Sequence, residues 1–137
     1  MAISAFQKTV RVKIPVGSED VVLICRKPNA GELSQFLNAR FVRKGRKIES
    51  RLIEARGEFI DRILVDAENV EYETAAGERK PLNRNTQLSE EDKAYAGGIL
   101  GVKVESWKDL IALNWKSSAA MHFEDAAPED EEDGSKN

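Results

Sequence analysis

The sequence predicts an α+β fold, and three observations carry that reading. Thr9-Val-Arg-Val-Lys-Ile-Pro-Val alternates apolar and polar residues, the period of a half-buried strand. From Asn29 onward the apolar spacing changes to threes and fours, the period of amphipathic helices. A later helical stripe of Trp107, Leu110, Ile111, Trp115, Ala119 and Phe123 ends at a run of acids. The expected layout is an N-terminal β-hairpin, a helical middle, a C-terminal helix and a disordered acidic tail. Residues 1–123 would form a single α+β domain and residues 124–137 the tail.

In the first strand Val10, Val12, Ile14 and Val16 share one face, with Arg11 and Lys13 on the other. Gly17-Ser18-Glu19-Asp20 has turn chemistry, and Val21 to Cys25 reads as a more buried strand, so a hairpin is expected over residues 7–26. Pro28 ends it. Asn29 is a helix N-cap, and Glu32 three residues later completes a capping box. Leu33, Phe36, Leu37 and Phe41 follow at helical spacing, and Gly45 either ends this helix or bends a longer one.

Ile48, Leu52, Ala55, Phe59, Ile60, Ile63 and Leu64 form the stripe of a second helix, expected from residue 46 to 66. Glu54 and Glu58 lie outside it, with Glu58 and Arg62 in the favourable order four apart. Val70 to Thr74 and Arg79 to Leu82 fit a short second hairpin or an extended loop. Ser89 is placed to cap a short helix through Tyr95, which Gly97, Gly98 and Gly101 would break. Ser106 with Asp109 opens the last helix. After Phe123 no apolar residue exceeds Ala in size, a composition that does not offset chain entropy.

At 137 residues, 41% apolar and 33% charged, the chain suits one soluble domain. Its longest apolar run, Val21 to Cys25, falls far short of the ~20 residues that span a bilayer. The opening lacks the basic and apolar regions of a signal peptide, and a single Cys forms no internal disulfide, so a cytoplasmic protein is expected. The net charge of −3 hides a division: residues 1–62 carry +6 and residues 63–137 carry −9.

Catalytic chemistry finds little support. Metal sites need three or four ligands, and this chain has one His and one Cys far apart. His122 reads as an exposed group at a helix end, and Cys25 as a core residue. Gly97-Gly-Ile-Leu-Gly lacks the Gly-Lys-Ser/Thr of a phosphate loop and reads as a flexible loop. The carboxylates lie in solvated runs and nominate no acid–base pair. A non-enzyme with no metal and no cofactor is expected.

The strongest charge feature is Arg40, Arg43, Lys44, Arg46 and Lys47, five cations within eight residues. Such a cluster contacts phosphates, releasing a counterion for each one neutralised, or the acids of a protein partner or of the chain's own tail. The negative overall charge and the acidic tail favour protein acids. A small nucleic-acid-binding accessory protein using residues 40–47 is the alternative.

The opening Phe6-Gln-Lys-Thr-Val-Arg-Val-Lys-Ile-Pro, the hairpin, the basic-acidic helical segment and the later Trp107-Lys-Asp-Leu-Ile…Trp115-Lys resemble tail assembly chaperones of long-tailed phages and prophages. The resemblance covers residues 4–75 and the final helix. It implies a small non-catalytic protein that coats the tape-measure protein before the tail tube polymerises around it. It also implies apolar grooves with charged rims, and self-association is compatible with it. The partner-binding candidates are then Arg40, Phe41, Arg43, Lys44, Arg46, Lys47, Trp107 and Trp115, with Phe36 a further aromatic to place.

Overall fold

The computed structural model describes residues 9–135, with side chains through Asp125, and the architecture is α+β. Gln7 and Lys8, where the hairpin is expected to begin, and Lys136 and Asn137 lie outside the described residues. Strands β1 (Thr9–Val16) and β2 (Glu19–Arg26) pair antiparallel about a two-residue Gly17-Ser18 turn. As the alternation predicts, Val12 and Ile14 are buried while Arg11 and Lys13 face out. Helix α1 (Ala30–Ala39) follows Pro28, and its capping box is formed. The Glu32 amide donates to Asn29 Oδ1 at 2.8 Å, and the Asn29 amide donates back to Glu32 Oε1 at 3.1 Å.

Arg26 ties that cap to the sheet, donating to both Glu32 oxygens, at 2.7 Å from Nη1. The Arg26 bond first, and the Asn29 amide second, hold the Glu32 carboxyl down at about 2. A lowered carboxyl adds stability that is complete above its unfolded value of about 4.3 and is lost as pH falls towards 2. Urea midpoints between about pH 5 and about pH 2 should therefore fall less in Glu32→Gln than in the parent.

The two helices of the middle are shorter than their spacing predicts and are separated by strands. Residues 41–50 form a hairpin of β3 (Phe41–Lys44) and β4 (Lys47–Ser50), and helix α2 (Leu52–Ile63) starts only afterwards. Gly45 has φ 63°, the left-handed conformation that a two-residue hairpin turn requires at its first central position. Phe41 and Ile48, assigned to helix stripes by spacing, thus belong to strands. Ala55, Phe59, Ile60 and Ile63 do line the buried face of α2. Glu58 pairs with Arg51 at 3.8 Å, and Arg62 donates to Gln35 instead of pairing with Glu58.

The chain turns directly from α2 into β5 (Leu64–Glu68), which closes a three-stranded sheet in the order β1-β2-β5. A bulge opposite Ile24 and Cys25 lets Leu64 and Ala67, an odd number of residues apart, both enter the core. On the outer face Arg11 reaches diagonally across β2 to Glu68, with its Nη1 2.8 Å from Oε2. Strands β6 (Glu71–Glu73) and β7 (Arg79–Pro81) form the short hairpin, flanked by buried Val70 and Leu82.

Helix α3 (Glu90–Leu100) is capped by Ser89 and runs through Gly97 and Gly98 to end at Gly101, so those glycines do not make a loop. Asp92 accepts from the Ala75 amide at 2.9 Å and Tyr95 donates to Glu73, which fastens α3 to the β6–β7 hairpin. Ser106 and Asp109 form their capping box on a single 3-10 turn, Trp107–Leu110. Helix α4 (Leu113–Ser135) begins after that turn.

One apolar core lies between the sheet and helices α1, α2 and α4. Val12 and Ile14 share it with Phe59 and Ile63, while Leu52 stays outside. A Cβ at Gly57 would lie 2.7 Å from Leu113 Cδ1 on α4, a contact that the exposed Leu113 side chain relieves by turning away. Phe36 stacks on Phe59 with centroids 4.3 Å apart, and Phe59 meets Phe123 edge-on at 5.6 Å.

Glu124, the first residue of the expected tail, is buried in α4, whose helical backbone runs to Ser135. A count of apolar residues misses a carboxylate buried between two guanidinium groups.

Candidate interaction surface

The β3–β4 hairpin projects as an arm, because ten residues of two short strands bury almost nothing against the body. Only Val42 is even half-buried. Its register places Phe41, Arg43, Ile48 and Ser50 on one face and Val42, Lys44, Lys47 and Glu49 on the other. Phe41 is 51% exposed and Ile48 65%, so the first face carries an apolar pair beside Arg43. The tip carries Arg43, Lys44, Arg46 and Lys47, all exposed. Among the described side chains Lys44 pairs with Glu49 at 3.2 Å, and Arg43, Arg46 and Lys47 form no ion pair.

Arg40 stands apart from the other four cations. It sits at the root of the arm, donating from Nη1 to Glu124 Oε2 at 3.0 Å and from Nε to the Leu37 carbonyl at 3.0 Å. Its guanidinium lies 5.9 Å from the Phe41 ring centroid. Arg56 completes the clamp, with Nε 2.9 Å and Nη2 2.7 Å from Glu124 Oε1, and donates from Nη1 to Ser117 Oγ at 3.2 Å. Helices α2 and α4 and the end of α1 thereby meet on one buried carboxylate. Arg40 is thus a structural tether as well as part of the basic segment.

Trp107 and Trp115 pack half-buried against the core, so neither forms a free aromatic surface, and Phe36 lies wholly inside it. Of the four aromatics only Phe41 is exposed. A second internal pair joins Lys116 Nζ to Asp61 Oδ1 at 2.7 Å, and Lys108 donates to the Asp61 carbonyl at 3.0 Å. Burial pushes the Cys25 thiol up to about 12, against the opposing pull of Lys108, which leaves it a protonated core residue. His122 is exposed on α4 with its ring edge-on to Phe123, not at the helix end. Among the described residues no three His, Cys, Asp or Glu side chains gather as a metal site would require.

Glu124 is the residue that sequence reasoning missed. Its signal was positional: Ser117, Ala120 and Glu124 recur at three and four along the buried face of α4. The arm carried a signal too, since Lys-Gly-Arg-Lys between Phe41-Val and Ile48 is a glycine turn between β-formers.

Comparison with protein-family models, with curated proteins and with solved structures finds no match to this chain. No helix among the described residues is long and apolar enough to cross a membrane.

Proposed function

We propose that this protein is a non-catalytic protein-binding module whose β3–β4 arm holds a segment of a partner. Its setting, on the resemblance of the sequence to phage and prophage tail assembly chaperones, is tail morphogenesis, with the tape-measure protein as partner. The observation that supports the reading is the arm itself. Phe41 and Ile48 are exposed together with Arg43 on one face of a hairpin that buries almost nothing, and Arg46, Lys44 and Lys47 lie at its tip and on its other face. An apolar pair rimmed by positive charge suits an amphipathic segment that carries acids beside its apolar stripe.

Co-expression with a phage tape-measure protein tests the reading. A soluble complex should form, and the arm variant Arg43→Glu, Lys47→Glu should lose it without a change in melting temperature, because exposed substitutions cost within about 0.5 kcal/mol. Capture that survives the double reversal would remove the arm from the interface.

One feature favours nucleic acid as a second reading: a two-stranded ribbon fits the major groove of a duplex. With Arg40 committed to Glu124, four cations remain, and duplex binding would weaken with salt at a log–log slope of about −3.6. Weak, unsaturable binding across a salt titration would dismiss that reading.

A further inference from the structure

The basic arm and the acidic end of the chain leave the body from one anchor. Arg40, the residue before β3, is bonded to Glu124 on α4. Beyond Glu124 the sequence carries Glu129, Asp130, Glu131, Glu132 and Asp133, and the helical backbone continues past them to Ser135. At about 1.5 Å per helical residue those acids lie about 8–14 Å along the axis from Glu124. The arm extends about 10 Å from Phe41 to Lys44 at about 3.4 Å per residue, before its turn. Two elements of opposite charge and matched reach therefore start side by side.

We infer that Glu129–Asp133 is the arm's occupant in the free protein, a tethered acidic segment that shields Arg43, Lys44, Arg46 and Lys47 until a partner displaces it. The inference rests on the arm being the binding surface. Two physical terms favour it. Four like charges on one short ribbon repel one another, and five carboxylates relieve that repulsion. The shared anchor also keeps the acids at an effective concentration on the order of 1 mM, which a second copy at ordinary concentration does not reach. A partner segment bearing acids then competes with a segment of the same chemistry, so only one that also engages Phe41 and Ile48 gains over it.

Zero-length carbodiimide cross-linking of the full chain, read by mass spectrometry, tests the contact. Amide links from Lys44 or Lys47 to Glu129–Asp133 should appear in the monomer-mass band and fade at high salt. The Lys44–Glu49 pair, 3.2 Å apart, serves as the internal control. Links confined to a dimer-mass band would assign the occupancy to a second copy and overturn the inference, as would their absence while the control link forms.

A second measurement keeps the whole chain and neutralises the acids, with Glu129→Gln, Asp130→Asn, Glu131→Gln, Glu132→Gln and Asp133→Asn together. This variant should bind an oligoglutamate peptide about tenfold more tightly than the parent. That is what a tethered competitor at about 1 mM produces against a contact of about 0.1 mM strength. Equal affinity would overturn the shielding. The binding role of the arm fails on a different result, partner capture unchanged by Arg43→Glu, Lys47→Glu.

Discussion

Phe59→Ala is expected to cost about 3–5 kcal/mol, the range of buried Phe truncations. Phe59 is 2% exposed and sits where three helices meet: it stacks on Phe36 of α1 and receives Phe123 of α4 edge-on. Aromatic pairs of this geometry add about 0.5–1.5 kcal/mol beyond their area, so the upper half of the range applies. Against a total of about 5–15 kcal/mol for an ordinary domain, the loss removes about a quarter or more of the stability. Thermal melts followed by circular dichroism should show a fall of roughly 10–20 °C. A loss below about 1 kcal/mol would mean that the helices do not converge on this ring.

Glu124→Ala should be nearly as damaging, at about 3 kcal/mol. Removing one partner of a buried ion pair costs about 3–5 kcal/mol, because the charges left behind stay desolvated. The lower end applies because the Arg40 side chain is 30% exposed and recovers some hydration, whereas that of Arg56 is only 15% exposed. Replacing all three groups by apolar residues, as in Arg40→Met, Arg56→Met, Glu124→Leu, should recover most of the loss. Truncation gives an independent check. A chain cut after Asp125 keeps the clamp and should melt within about 2 °C of the full chain, whereas one cut after Phe123 should fall by about 10 °C.

The elements that local chemistry decides were legible in the sequence. The β1–β2 hairpin followed from strict alternation around Gly17-Ser18, and both capping boxes followed from side chains three residues apart. The arm was not, because Leu33, Phe36, Leu37 and Phe41 continue a helical spacing up to a residue that is already in a strand. Over so few residues, periods of two and of three to four share most of their positions. Leu64 was misplaced for a related reason, since the bulge that turns it inward depends on its pairing with β2 and not on its own neighbours. The buried role of Glu124 was invisible to any reading of charge, which places a Glu in water unless the Arg residues that surround it, 68 and 84 positions away, are known. The exposed cations at 43, 44, 46 and 47 were legible as a cluster, but their carriage on a ribbon was not.

The position of Phe123 and Glu124 has a consequence for the newly made chain. The β1–β2 hairpin is finished at Arg26, yet α4, which covers β1 and completes the aromatic cluster around Phe59, arrives about a hundred residues later. At synthesis rates of about 5–20 residues per second, the hairpin waits roughly 5–20 s for its cover. A hairpin itself forms in about 1–10 μs, so the part of β1 that α4 covers stays open for nearly all of that interval, after α1 and α2 have been made. Association between unfinished chains is therefore a route to aggregation separate from melting of the finished protein.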